Sequence, residues 1–243
     1  MIKQYKTIPD KSYWLKTELS QDLRARIAQD TVMRPSFRFL LNSFKEGERF
    51  LEGGSGSGWV VAGLRAKGRD AWGIEYSKEL VADFKKQLPE LAKFVQFGDA
   101  RKLPFKDNSF DVYFSPGVLE HYEEEPKECW KLIDEAVRVV KPGGRILITV
   151  PTMNLPRWLG YCFAKRRERL HGDKPFYQAI YSRAEFKRKI ESKGTIKVIG
   201  MTGTGVHDTK LFGIKLFPRF LWRNGLLNRL FTHMTLFQCR NVK

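Results

Sequence analysis

Between residues 49 and 151, short runs of β-branched and aromatic residues alternate with stretches whose apolar positions recur every three or four residues. The runs 49–54 (RFLEGG), 71–76 (AWGIEY), 94–98 (FVQFG), 110–115 (FDVYFS) and 145–151 (RILITVP) read as strands. Helical spacing fills 57–67, 77–88 and 126–140, and in the last Trp130, Ile133, Val137 and Val140 recur at helical intervals. KPGG at 141–144 is expected to stop that helix and turn the chain back into a strand. Strands and helices in this alternation predict stacked β-α-β units around a parallel sheet.

The flanks are patterned differently. Residues 10–45 predict two helices, opening at DKSYW and MRPSF, which read as a lid or an added layer. Downstream, Ser182 with Glu185 three residues later has capping-box spacing and predicts a helix over 182–193. TIKVIGM (195–201) and HMTLFQCR (233–240) read as two more strands. Between them, 210–231 is too long for a turn and too apolar for a solvated loop. The expected organisation is an N-terminal helical lid over 1–45 and one domain over 46–243, with insertions at 152–181 and 203–232.

A chain of 243 residues that is 42% apolar suits one large α/β domain with elaborations. Cys129, Cys162 and Cys239 are an odd number with no C-x-x-C pair, so neither a disulfide framework nor a zinc site is expected, and no metal site is assigned. A reducing, cytoplasmic setting fits that usage. The opening residues hold no apolar core of signal-peptide length, and no run approaches the ~18 apolar residues of a spanning helix; the expectation is a chain neither secreted nor transmembrane. The net charge of +17 is distributed unevenly: residues 1–45 carry +5, 46–151 carry −2, and 152–243 carry +14. An anionic partner is therefore expected at the C-terminal part.

The densest chemistry lies in RFLEGGSGSGWV (49–60). A strand running into glycines and then a helix presents backbone N–H groups to a ligand. Gly54, Gly56 and Gly58 are spaced G-x-G-x-G, and Trp59 stands where a dinucleotide fingerprint has its third glycine. No Gly-Lys-Ser/Thr ending follows, so a P-loop is excluded too. Glu52 would repel a phosphate and hold a cation, which points to a positively charged ligand. Glu75 ends the second strand, where a carboxylate accepts hydrogen bonds from ribose hydroxyls; Asp99 ends the third, placed for an exocyclic amine.

FLEGGSGSG, GIEYS, GDARKLPFKDNSFDVYFSPGVLEHY and VKPGGRILITVP, in that order over about 48–151, resemble the class I S-adenosylmethionine-dependent methyltransferases, nearest the type 11 group. The resemblance implies a doubly wound, mostly parallel seven-stranded sheet with its last strand antiparallel, and S-adenosyl-L-methionine across the strand ends. By position it implies Glu52 at the methionine ammonium and the Gly54 and Gly56 backbone along the methionyl part. Glu75 would then take the ribose, Tyr76 the adenine face, Asp99 the adenine amine and the Ala100 amide a ring nitrogen. The Ser115 to Gly117 backbone would pass near the sulfonium. Gly53 departs from the family, which has an apolar residue there, and is expected to loosen the strand end.

His121, just after the fourth strand, is the candidate base or acceptor ligand, against a structural histidine near the next helix; His207 is a second candidate. In 155–172, Leu155, Trp158, Leu159, Cys162 and Phe163 share a helical face beside Lys165, Arg166, Arg167 and Arg169, and 217–231 repeats the theme. One reading is a peripheral grip on the inner face of an anionic membrane, admitting a small-molecule, lipid or lipid-linked acceptor for O- or C-methylation. Others are a plain substrate cap, an RNA methyltransferase using the basic part, and a non-catalytic recruitment module. SPGV after the fourth strand differs from the Asn/Asp-Pro-Pro-aromatic arrangement of nucleobase amino-methylating enzymes, which places nucleic acid second. The pattern leaves the oligomeric state open.

Overall fold

The computed structural model describes residues 2–5, 12–19, 22–33, 40, 44–122, 126–155, 157–159, 176–204, 210–211, 214–215 and 232–243. Its centre is a seven-stranded sheet in the order β4-β3-β2-β5-β6-β11-β8. The strands are β2 (Arg49–Gly53), β3 (Asp70–Glu75), β4 (Val95–Phe97), β5 (Phe110–Pro116), β6 (Val140–Pro151), β8 (Ile196–Thr204) and β11 (Met234–Asn241). The first five run parallel, and β11 runs antiparallel between β6 and β8. Helices α3 (Trp59–Ala66), α4 (Lys78–Gln87), α5 (Pro126–Val139) and α6 (Arg183–Glu191) complete the crossovers. This is the doubly wound architecture the sequence predicts.

The strands are apolar on consecutive residues because alternate side chains feed two cores. Leu51, Tyr113, Ile146, Ile148 and Phe237 join α5 and α6 on one face. Phe50, Val112, Phe114, Leu147 and Leu236 join α3 and α4 on the other. Ser77 caps α4, its hydroxyl accepting from the Leu80 N–H at 3.2 Å. The capping box at Ser182 and Glu185 opens α6 as its spacing predicts.

Three features differ from expectation. The helix stops just before KPGG, at Val139, as expected, but KPGG is no separate turn: it lies within β6 as irregular pairing, which passes from Phe110↔Val140 to Val112↔Arg145. Gly144 is required there, since a Cβ would stand 2.8 Å from the Lys141 carbonyl oxygen and 2.9 Å from that of Asp111. Near the N-terminus, α1 (Ser12–Leu19) begins at the expected place, and α2 (Leu23–Met33) is a helix the pattern does not predict; the expected start at MRPSF falls, after Met33, outside the described residues, beyond which Leu40 is helical. Asp22 sets the start of α2: its carboxylate accepts from the Arg24 and Ala25 N–H groups at 2.9 and 3.1 Å. The third feature is β1 (Ile2–Tyr5), which pairs antiparallel with β7 (Phe176–Ile180) at the far end of the first insertion. Residues 160–175 and 216–231 of the insertions lie outside the described residues. Between them, β9 (Lys210–Leu211) and β10 (Ile214–Lys215) form a small hairpin.

Gly53 does not loosen the sheet. The Tyr113 ring fills the space its side chain would occupy, with the phenol oxygen 2.0 Å from a built Cβ. Tyr113 is fully buried, so Gly53 and Tyr113 divide one volume between them. Gly53→Ala should cost about 1–3 kcal/mol of folding stability in urea denaturation, through overpacking alone. Tyr113→Leu in the same chain should recover part of that loss, whereas additive losses would refute the shared volume.

Candidate active site

The parallel strands end along one edge, and the order reverses between β2 and β5, where a crevice forms in sheets of this kind. The loop after β2 occupies it. Its Gly54 and Ser55 N–H groups donate to the Ile74 carbonyl at 2.9 and 3.0 Å, which ties it to β3. At Gly58 (φ +76°) a Cβ would lie 2.6 Å from Phe84. At Gly56 (φ +55°) a built Cβ meets nothing within 4 Å, so this is the loop's open face.

Glu75 closes the loop from the side. One carboxylate oxygen accepts from the Gly56 N–H at 2.7 Å and the other from the Ser77 N–H at 2.9 Å. Burial pushes this carboxyl above the ordinary range, and the two N–H groups pull partly against that. Glu52, at 2% exposure, is more extreme: its Oε2 has no hydrogen-bond partner. Burial first, then the charge of Glu75, raises it well above a usual carboxyl, opposed by the Arg26 guanidinium. A buried carboxyl with one oxygen unsatisfied, in the strand that leads into an open glycine backbone, fits a cationic ligand group.

The other predicted residues line the same edge. Tyr76 is 63% exposed, and its ring centroid lies 6.3 Å from that of Phe97, itself 48% exposed. Two aromatic faces thus stand at the ends of β3 and β4. Asp99 is engaged by its neighbour: Arg101 donates to it from Nε at 3.0 Å, from Nη2 at 2.6 Å and from its backbone N–H at 2.8 Å. Those hydrogen bonds hold the Asp99 carboxyl below its ordinary range. Ala100 packs half-buried against the core, and Ser115 is fully buried in β5. Gly117 (φ +69°) bends the chain after β5, donating to the Thr149 carbonyl at 3.1 Å. His121 lies exposed on a 3-10 turn, Leu119–Tyr122. His207 lies outside the described residues.

Sequence reasoning missed four side chains here. Glu120 adjoins His121 but turns inward, 2% exposed, with Oε1 3.5 Å from a Cβ built on Gly117 and Oε2 unpartnered. Burial pushes its carboxyl up to about 8. Phe97 reads as a core strand residue in FVQFG, and Arg101 as one cation among many. Arg26 reaches the glycine loop from α2, donating to Glu18 at 2.8 Å and to the Ser57 hydroxyl at 3.2 Å. At the opposite end of the edge, the Arg157 guanidinium donates to the carbonyls of Thr152 at 3.1 Å and His233 at 2.7 Å. Arg183 donates to the hydroxyls of Thr235 and Thr232, both at 3.0 Å. These two arginines pin the mouths of both insertions to the sheet.

Residues 51–148 match the family model described as a methyltransferase domain. A demethylmenaquinone methyltransferase of Beutenbergia cavernae is 34% identical over 114 residues, which are 47% of this chain and 44% of that protein. The biotin biosynthesis bifunctional protein BioHC of Cellvibrio japonicus is 35% identical over 101 residues, 42% of this chain and 19% of its own length. The chain thus spans less than half the length of these curated relatives. The PH0226 protein of Pyrococcus horikoshii shares the fold, with a TM-score of 0.63 at 18% identity over 97% of this chain and 100% of that one.

A carboxyl that is neutral only when folded makes stability depend on pH. Between the ordinary glutamate range and about pH 8 the unfolded chain has released the Glu120 proton and the folded chain still holds it. The ligand-free protein should therefore lose stability as pH rises through that window, by at most about 1.4 kcal/mol per unit from this group. Glu120→Gln should flatten that part of the profile in urea denaturation from pH 5 to 9.

Proposed function

Because residues 51–148 form a class I S-adenosylmethionine-dependent methyltransferase domain, we propose that the protein methylates an oxygen or carbon of a small amphiphilic acceptor taken from an anionic membrane surface. The observation that carries the cofactor side is the buried Glu52 carboxyl, its Oε2 without a hydrogen-bond partner, in the strand that leads to the open Gly56. Glu52 takes the ammonium, and the Gly54–Gly56 backbone leaves room for the methionyl chain. Glu75 takes the ribose hydroxyls. Tyr76 and Phe97 supply apolar faces for the adenine, with the Ala100 amide at a ring nitrogen. Asp99 serves the adenine amine while shared with Arg101.

Bound S-adenosylmethionine supplies a methyl group on a positive sulfur that leaves as a neutral thioether, so the protein's main tasks are alignment and exclusion of water. The bend from Ser115 to Gly117 borders the reacting end. His121, exposed on the turn after that bend, and Glu120, buried beneath it, are the groups that hold or accept an acceptor proton. The similarity to a protein named for demethylmenaquinone supports a small-molecule acceptor.

The membrane part rests on the insertion mouths. Leu155, Trp158 and Leu159 are 40%, 52% and 42% exposed in a helical stretch, and the surrounding C-terminal part is strongly basic. Among the described residues no helix is long and apolar enough to cross a membrane. The arrangement suits a surface contact that delivers acceptors beside the strand ends.

Calorimetry tests the cofactor assignment. Burial holds the Glu52 carboxyl well above its ordinary range and an arriving cation favours the ionised form, so binding should release protons and tighten as pH rises. Glu52→Gln should abolish the proton release and weaken binding roughly tenfold to hundredfold. A wild-type chain that binds no S-adenosylmethionine would refute the assignment.

Co-sedimentation tests the surface. Wild-type protein should pellet with phosphatidylglycerol vesicles at physiological salt, and replacing Leu155, Trp158 and Leu159 by serine should release most of it. Binding to RNA at the same salt without vesicle binding would replace this reading with the nucleic-acid one.

A further inference from the structure

The amino-acid end of S-adenosylmethionine carries two opposite charges on one carbon, and the residues assigned to it so far answer only the positive one. Glu52 and Glu75 are both carboxyls, and Glu18 of α1 adds a third close enough to raise Glu75 further. Three carboxyls around a ligand carboxylate would repel it. One described cation is built into this cluster, and it comes from outside the sheet.

That cation is Arg26. The Leu23 side chain is fully buried and its N–H donates to Gln87 at 2.9 Å, while Arg24 pairs with Glu90 at 2.9 Å. Both contacts seat α2 on α4 and its following turn. Arg26 thereby projects over the glycine loop, with its guanidinium 5.4 Å from the Trp59 ring centroid and 3.2 Å from the Ser57 hydroxyl. Its ion pair with Glu18, at 2.8 Å, stays within the lid. Trp59, which displaces the third dinucleotide glycine, is the surface on which this guanidinium rests.

We propose that Arg26 is the anion-binding residue of the cofactor site, receiving the ligand carboxylate from the lid in place of Glu18. The inference rests on the cofactor assignment above. It makes α2 part of the binding site and gives the lid a reason to stay seated when the ligand is present. A guanidinium suits the task because its planar donors match both oxygens of a carboxylate. Glu18 keeps the guanidinium paired and directed until the ligand arrives.

The test compares two probes on the full chain by calorimetry: S-adenosylhomocysteine, which has the amino-acid end, and 5′-methylthioadenosine, which lacks it. Arg26→Gln should weaken S-adenosylhomocysteine about 30-fold and leave 5′-methylthioadenosine unchanged. Arg26→Lys should recover part of the loss, and Glu18→Gln should tighten S-adenosylhomocysteine several-fold by removing the competing partner. Equal loss for both probes would make Arg26 a packing residue, and unchanged S-adenosylhomocysteine affinity would overturn the proposal outright. Failure of the wild-type chain to bind either probe would instead remove the cofactor assignment and this inference with it.

Discussion

A carboxyl group held out of water at the end of a central strand, with no ion partner of its own, is the constraint on which the site depends. Leaving a buried polar group unsatisfied costs free energy that the rest of the fold must offset. The cores on the two faces of the sheet supply that offset, and Glu52 stays 2% exposed between them. The same strand end packs without a gap because Tyr113 occupies the place of a side chain at Gly53.

The edge of strand ends divides into two halves with different materials. The β2-β3-β4 half is organised by backbone: N–H groups of the glycine loop are fixed to β3 through Ile74 and Glu75. The β6-β11 half is organised by side chains, with Thr152 and Thr235 sharing a 2.7 Å hydroxyl contact flanked by Arg157 and Arg183. Gly117 and Glu120 lie where the halves meet. A backbone-built half suits a ligand of fixed shape, whereas a half built from side chains changes with each substitution along it.

The sheet was legible because strand periodicity and helix spacing are local, and all seven strands were placed within a few residues of their observed ends. The KPGG bulge was misread because Pro and Gly signal a turn equally well when the neighbouring strand absorbs the extra residues as irregular pairing. The helix over 23–33 was missed because its start rests on a single capping carboxylate, Asp22, with no apolar periodicity to announce it. Within the site, Glu52 and Glu75 stood out through their places at strand ends. Glu120 did not, because a glutamate beside a histidine reads as surface until its burial is known. Arg26 was hidden for another reason: only the docking of α2 against α4 brings it near a loop whose sequence neighbours are far away.

The pairing of β1 with β7 also bears on how the molecule is made. Ile2 finds its partner at Ile180, beyond five strands of the sheet and the first insertion. A contact of such sequence separation forms late, because the loop it closes must first lose its freedom. As the molecule folds, the strand at Ile2 must wait for the five parallel strands and the segment at Ile180 before it can be held. The segment at β1 is therefore among the last to settle, after the central sheet.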